Sequence, residues 1–169
     1  GSKIRMLKLP KANRSIKSAL NLHSPFVHPS VLLRRVAILR AGNYRTCSTA
    51  LLAEDYDLWS RMAPFGDFHN IQKPLVSYRK NPVGITGSQG RALNRSACTI
   101  ALRNSEATLG KKFNDLDTEL FFLFFSRHRR FRFPESLRVY QLRLRLLFSS
   151  GFPPAIRGIT WRAWLAPIS

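Results

Sequence analysis

The stretch from Leu51 to Ala63 is the part of this chain that most restricts how it can fold. Leu51, Leu52, Asp55, Leu58, Trp59 and Met62 recur at spacings of three and four, which places them on one face of a helix. The whole chain has 9 acidic residues against 28 basic ones, and three of those acids, Glu54, Asp55 and Asp57, fall within four positions here. The periodicity predicts Asp55 on the apolar stripe, with Asp57 and Arg61 pointing elsewhere. A carboxylate on such a stripe loses hydration, so its pKa should rise toward the range useful to a general base. The backbone dipole at a helix start favours the anion and opposes that rise. Acids are also common in first turns for purely structural reasons, so the pattern alone leaves both roles open. Pro64-Phe65-Gly66 is the expected stop.

At 169 residues the chain is long enough for one hydrophobic core, and its 44% hydrophobic composition excludes a disordered tract of this length. The formal net charge of +19 implies an anionic partner: nucleic acid, an acidic lipid surface or a phosphorylated substrate. Two cysteines, Cys47 and Cys98, are too few for a disulfide framework. The longest apolar run, Leu120 to Phe125, falls far short of the ~18 residues that span a bilayer. His23 and His28 have no nearby Cys or acid and make a poor zinc site.

Taken in order, Ser15 to Leu22 reads as a short helix with Ile16, Ala19 and Leu20 on one side. Pro25 and Pro29 bias the residues before them to extended backbone. Ser30 to Leu33 reads as a strand covered on both faces, because its apolar run is nearly continuous. Arg34 to Ala41 reads as a helix ended by Gly42, and Asn43 to Ala53 as a loop. Asp67 to Ile71 and Leu75 to Tyr78 read as short extended pieces. Arg91 to Leu109 is a predicted helix with Gly110 past its end, and Leu116 to Ser126 a second, very apolar one. A basic, aromatic connector from Arg127 to Phe133 leads to a third helix, Pro134 to Ser149, and to a short segment with Trp161 and Trp164.

Four short motifs then stand in a particular order. They are His28-Pro29-Ser30-Val31-Leu32-Leu33-Arg34-Arg35, Ala41-Gly42-Asn43-Tyr44-Arg45, Ala53-Glu54-Asp55-Tyr56-Asp57-Leu58-Trp59, and Lys73-Pro74-Leu75-Val76-Ser77-Tyr78-Arg79. Together they resemble the second half of family 2 glycosyltransferases, inverting enzymes with the GT-A nucleotide-sugar-binding fold. The resemblance covers roughly residues 3 to 90. It implies an α/β class: the acceptor-side half of a GT-A domain with few strands over residues 1–90, then a mainly helical, basic extension over 91–169. It implies transfer of a sugar from a nucleotide-sugar donor to a hydroxyl of a saccharide or lipid-linked acceptor, with inversion, in cell-surface polysaccharide or glycolipid synthesis. Asp55 is then the catalytic base, with Glu54 as its neighbour or as the base itself. His28, Trp59 and Arg79 are the implied substrate-binding residues. Arg79 suits the nucleotide diphosphate, because its fork of N–H donors matches phosphate oxygens. Tyr56 and Trp59 suit the wall of an acceptor pocket, but Trp59 reads more readily as core.

Relatives in this family place a histidine two residues after the Tyr-Arg pair, where this chain has Asn81. An amide oxygen is a weaker ligand than imidazole for manganese. No residue here is therefore assigned to a metal. The divalent cation, Mn or Mg, is expected in the full-length enzyme, with most of its ligands and the nucleotide-binding strands in a half preceding residue 1. The chain is on this view a fragment, inactive alone.

The basic tail, with its Phe, Trp and Leu residues, suits an interfacial helix on an anionic membrane, a helical extension with snorkelling arginines, or single-stranded nucleic acid. The resemblance favours an enzyme that is cytoplasmic and peripheral at the inner membrane face. The alternative is a basic nucleic-acid- or membrane-binding module without catalysis. Nucleic acid is the weaker partner, since it rests on charge alone, with no helix-turn-helix, zinc or RNA-recognition signature.

Overall fold

A computed structural model describes residues 7–46, 50–77 and 88–125. These form helices α1 (Asn13–Ala19), α2 (Arg35–Arg40), α3 (Glu54–Met62), α4 (Gly90–Leu109) and α5 (Asp115–Phe125), with 3-10 turns at His28–Ser30 and Ala63–Phe65. Cys47, Arg79, Asn81, the connector 127–133, the helix expected over 134–149 and the segment 155–165 lie outside the described residues.

Helix α3 is the hub. It packs against both α2 and α4, and α5 lies on α4. Leu58, Trp59 and Met62 of α3 meet Cys98, Ile100 and Ala101 of α4, Phe121 of α5, and Leu20 and Ala41 from the preceding segments. Residues on both sides of position 90 thus share one core. Glycines end two of the helices as their positions suggest: Gly42 follows α2 at φ 78° and Gly110 follows α4 at φ 63°, both left-handed. The last carbonyls around the end of α1 lack helical partners, and side chains from α3 and α4 supply them. The Tyr56 hydroxyl and Asn104 Nδ2 each donate to Leu20 O at 2.7 Å, and Ser105 Oγ donates to Asn21 O at 2.8 Å.

Two local expectations need correcting. The stretch Ser30 to Leu33 is not a strand covered on both faces. His28–Ser30 is a 3-10 turn, and Val31 to Arg34 runs extended without a ladder partner among the described residues. Val31 and Leu33 turn toward the core, while Leu32 is 99% exposed, so the segment is covered on one side only. No strand forms among the described residues.

The second correction concerns α3. Its apolar face is rotated from the one that periodicity predicts, because Leu51 and Leu52 lie before the helix, with Leu52 at φ 65° and Leu51 exposed. The buried residues are Tyr56, Asp57, Leu58, Trp59 and Met62. Asp57, not Asp55, is the acid most deeply inside. No helix among the described residues is long and apolar enough to cross a membrane.

Candidate active site

The first turn of α3 has no side-chain cap from Ala53, the residue before it. Asp55 serves instead: its Oδ1 accepts the Tyr56 backbone N–H at 2.7 Å, satisfying one of the amides that a helix start leaves open. Oδ2 of the same carboxylate faces His28, with 4.0 Å to Nδ1. Burial pushes the Asp55 carboxyl above the usual carboxylate range. The Tyr56 amide and His28 pull it back in part, and Glu54 adds to the rise by repulsion.

His28 stands where it does because the 3-10 turn begins on it and because two rings hold its own. Trp59 meets it edge-on, with centroids 5.9 Å apart, and Tyr44 lies at 5.8 Å with the planes tilted by 34°. The other ring nitrogen, Nε2, is 3.0 Å from the Tyr44 hydroxyl. Burial raises the Tyr44 phenol, and the Asp55 and Glu54 carboxylates raise it further. His28, Tyr44, Glu54 and Asp55 therefore form one polar cluster at the mouth of α3.

A second group of charges centres on Asp57. Asp57 is 2% exposed. Arg61, one turn on, donates Nε to its Oδ2 at 2.8 Å, and Arg103 of α4 donates Nη1 to its Oδ1 at 2.7 Å. Burial alone would raise this carboxyl, but the hydrogen bonds from Arg103 and Arg61 outweigh it and hold the group below the usual range. Arg61 is also extended toward the end of α2, where it donates to the carbonyls of Ala41 and, at 2.7 Å, of Asn43. Basic side chains suit a helix C-terminus, where the last carbonyls lack partners. Asn43 adopts the left-handed conformation at φ 59°, and its side-chain oxygen accepts the Tyr44 N–H at 2.8 Å. Arg61 thus ties α3 to the turn that carries Tyr44.

The structure brings Asp55, Glu54 and His28 together, three of the residues that the sequence singles out. Trp59 is fully buried, so it backs His28 instead of meeting a ligand directly. Tyr56 is also core. Arg79 lies outside the described residues. Sequence reasoning missed Tyr44 as the partner of His28, and it missed the Asp57–Arg61–Arg103 frame. The i, i+4 spacing of Asp57 and Arg61 was a usable signal for half of that frame.

Among the described residues no three His, Cys, Asp or Glu side chains come together to hold a metal ion. His28 and Asp55 offer two donors, short of the six or so that Mg or Mn takes. The described residues do not fit the divalent cation that the resemblance implies.

No protein-family model matches the chain, and no solved structure matches it. The UDP-Gal:alpha-D-GlcNAc-diphosphoundecaprenol beta-1,3-galactosyltransferase of Escherichia coli is 38% identical to it over 80 residues. Those residues are 47% of this chain and 28% of that enzyme, so the likeness spans a little over a quarter of the relative's length. Part of this chain is therefore related to a glycosyltransferase.

Proposed function

We propose that residues 3–90 form the acceptor side of an inverting family 2 glycosyltransferase of GT-A fold, with Asp55 as its general base. The observation that carries this is the gap between Asp55 Oδ2 and His28 Nδ1. At 4.0 Å it is too long for a direct hydrogen bond, and it suits one intervening hydroxyl oxygen about 2.8 Å from each. The rise of the Asp55 carboxyl by burial supports the same role, since a general base works best when its pKa approaches the working pH.

The step runs as follows. The acceptor O–H gives its proton to Asp55 Oδ2. The oxygen's electron pair forms a bond to the anomeric carbon of the donor sugar. The bond from that carbon to the nucleoside diphosphate breaks on the opposite side, and the configuration inverts. Glu54, half-buried beside Asp55, adds negative charge that keeps the base proton-hungry. His28 orients the acceptor oxygen, and Trp59, itself packed on Phe26, backs the imidazole. Arg79 is assigned to the donor diphosphate.

The rest of the nucleotide site and the divalent cation, Mn or Mg, are assigned to polypeptide outside this sequence. The matched residues answer to 28% of the relative, whose remaining length leaves room for such a site. Its name also supports a nucleotide-sugar donor and a lipid-linked saccharide acceptor. We assign the reaction to the cytoplasmic side of the inner membrane, with the protein peripheral there, and the basic residues of the chain facing anionic lipid.

The test is a transfer assay on the protein encoded by the uninterrupted reading frame that contains residues 1–169. UDP-galactose and a GlcNAc-diphosphoundecaprenol acceptor are the first probes. Asp55→Asn should lower kcat by about 10²- to 10⁴-fold, the usual worth of a general base, with KM changed little. Residues 1–169 alone should transfer nothing. Turnover that survives Asp55→Asn removes Asp55 as the base, and transfer by residues 1–169 alone removes the division of the site.

A further inference from the structure

The two nitrogens of His28 face two different groups. Nε2 lies 3.0 Å from the Tyr44 hydroxyl and Nδ1 lies 4.0 Å from Asp55 Oδ2. A neutral imidazole carries one proton, so one nitrogen donates and the other accepts. We infer that Tyr44 is a positioning residue of this site: its hydroxyl donates to His28 Nε2 and so holds the ring proton on Nδ1, the nitrogen that faces Asp55.

Two features favour this arrangement over its reverse. The Tyr44 phenol sits beside Asp55 and Glu54, whose charges help it keep its proton, so it has a hydrogen to give. The reverse tautomer would aim the Nδ1 lone pair at the Asp55 carboxylate, like polarity against like. Tyr44 in turn is fixed from below by the left-handed turn at Asn43 and the Arg61 bond to the Asn43 carbonyl. Trp59 bounds the far side of the imidazole.

The consequence is a division of labour between two bases. An acceptor hydroxyl in the gap receives a hydrogen bond from Nδ1–H and has only Asp55 left to take its proton. With the proton moved to Nε2, the Nδ1 lone pair would compete for that same hydrogen, and the hydroxyl would turn. This role rests on the transfer reaction proposed above, whereas the tautomer itself does not.

The test uses uniformly 15N-labelled residues 1–169 and long-range 1H–15N correlations at about pH 8, where an ordinary histidine is neutral. The His28 signals are identified by their loss in His28→Gln. In the wild type, Nδ1 should resonate as a protonated, pyrrole-like nitrogen and Nε2 as a pyridine-like one, the opposite of the form that free histidine favours. Tyr44→Phe, at a position 40% exposed, should return His28 to the Nε2–H form while the His23 and His69 signals stay in place. Wild-type His28 in the Nε2–H form, or a tautomer indifferent to Tyr44→Phe, overturns the inference. In the transfer assay Tyr44→Phe should lower kcat on the order of tenfold with little change in KM. Transfer that survives Asp55→Asn would sink the reaction and leave the tautomer result standing. An unmoved tautomer with transfer lost in Asp55→Asn would sink the role of Tyr44 alone.

Discussion

Replacing Asp57 with alanine should destabilise the fold by about 3 to 4 kcal/mol, through the arginine it leaves behind. The side chain of Asp57 is 3% exposed and that of Arg61 12%, and they are joined at 2.8 Å. Removing one partner of such a pair strands the other charge, at a cost of ~3–5 kcal/mol. Arg61 keeps its bonds to the Ala41 and Asn43 carbonyls, which puts the cost toward the lower end. The Arg103 arm is as short, at 2.7 Å, but Arg103 is 44% exposed, and solvent screens it to ~1 kcal/mol or less. Arg103→Ala should therefore cost about 1 kcal/mol, well below Asp57→Ala. Because the folded state holds the Asp57 carboxyl below its ordinary 3.8, its contribution is complete above that value. It fades as pH falls through the folded pKa, so the gap between wild type and Asp57→Ala should narrow in acid. Urea unfolding at about pH 7 and again near pH 3 measures both effects. An Arg103→Ala variant as unstable as Asp57→Ala, or a gap that persists undiminished in acid, would refute the reasoning.

Asp55→Asn should raise stability at neutral pH by on the order of 1 kcal/mol, the usual size of a single stabilising substitution. The sign follows from the raised folded pKa: the ionised carboxylate costs stability above it, and the cost vanishes below the unfolded value of 3.8, so the advantage of asparagine should disappear in acid. Asparagine retains an oxygen for the Tyr56 N–H, so the helix start is kept. Cys98, buried against Phe121 with its thiol pushed up to about 12, should resist alkylation by iodoacetamide at neutral pH until urea unfolds the chain, as peptide mass mapping would show.

The helices were largely legible, because their causes are local. Gly42 and Gly110 mark two ends, and the spacing of Ile100 and Ala101 with their neighbours marks α4. What periodicity could not supply was the rotation of α3. Leu51 and Leu52 extend the apolar pattern backwards, yet Leu52 takes a left-handed backbone that ends any helical continuation there. Counting from them points Asp55 inward and Asp57 outward. The real face buries Asp57, which Arg61 pairs from one turn on and Arg103, 46 residues away, meets from another helix. Sequence spacing carries no trace of such a partner. The contact between His28 and Tyr44 is hidden for the same reason, since it depends on the turn that Arg61 ties down. The strand expected at Ser30 to Leu33 shows the opposite failure. Its composition suits a sheet, but a strand is made by its neighbours, and none pairs with it among the described residues.

Asp55 and Asp57 lie two residues apart on one helix, yet burial raises the first carboxyl while Arg103 and Arg61 hold the second low against the same effect. A 13C titration of the two carboxyl groups in residues 1–169, assigned by Asp55→Asn and Asp57→Asn, separates them directly. Asp55 should titrate above 3.8 and Asp57 below it. Two coincident curves, or Asp57 titrating above Asp55, would contradict the account.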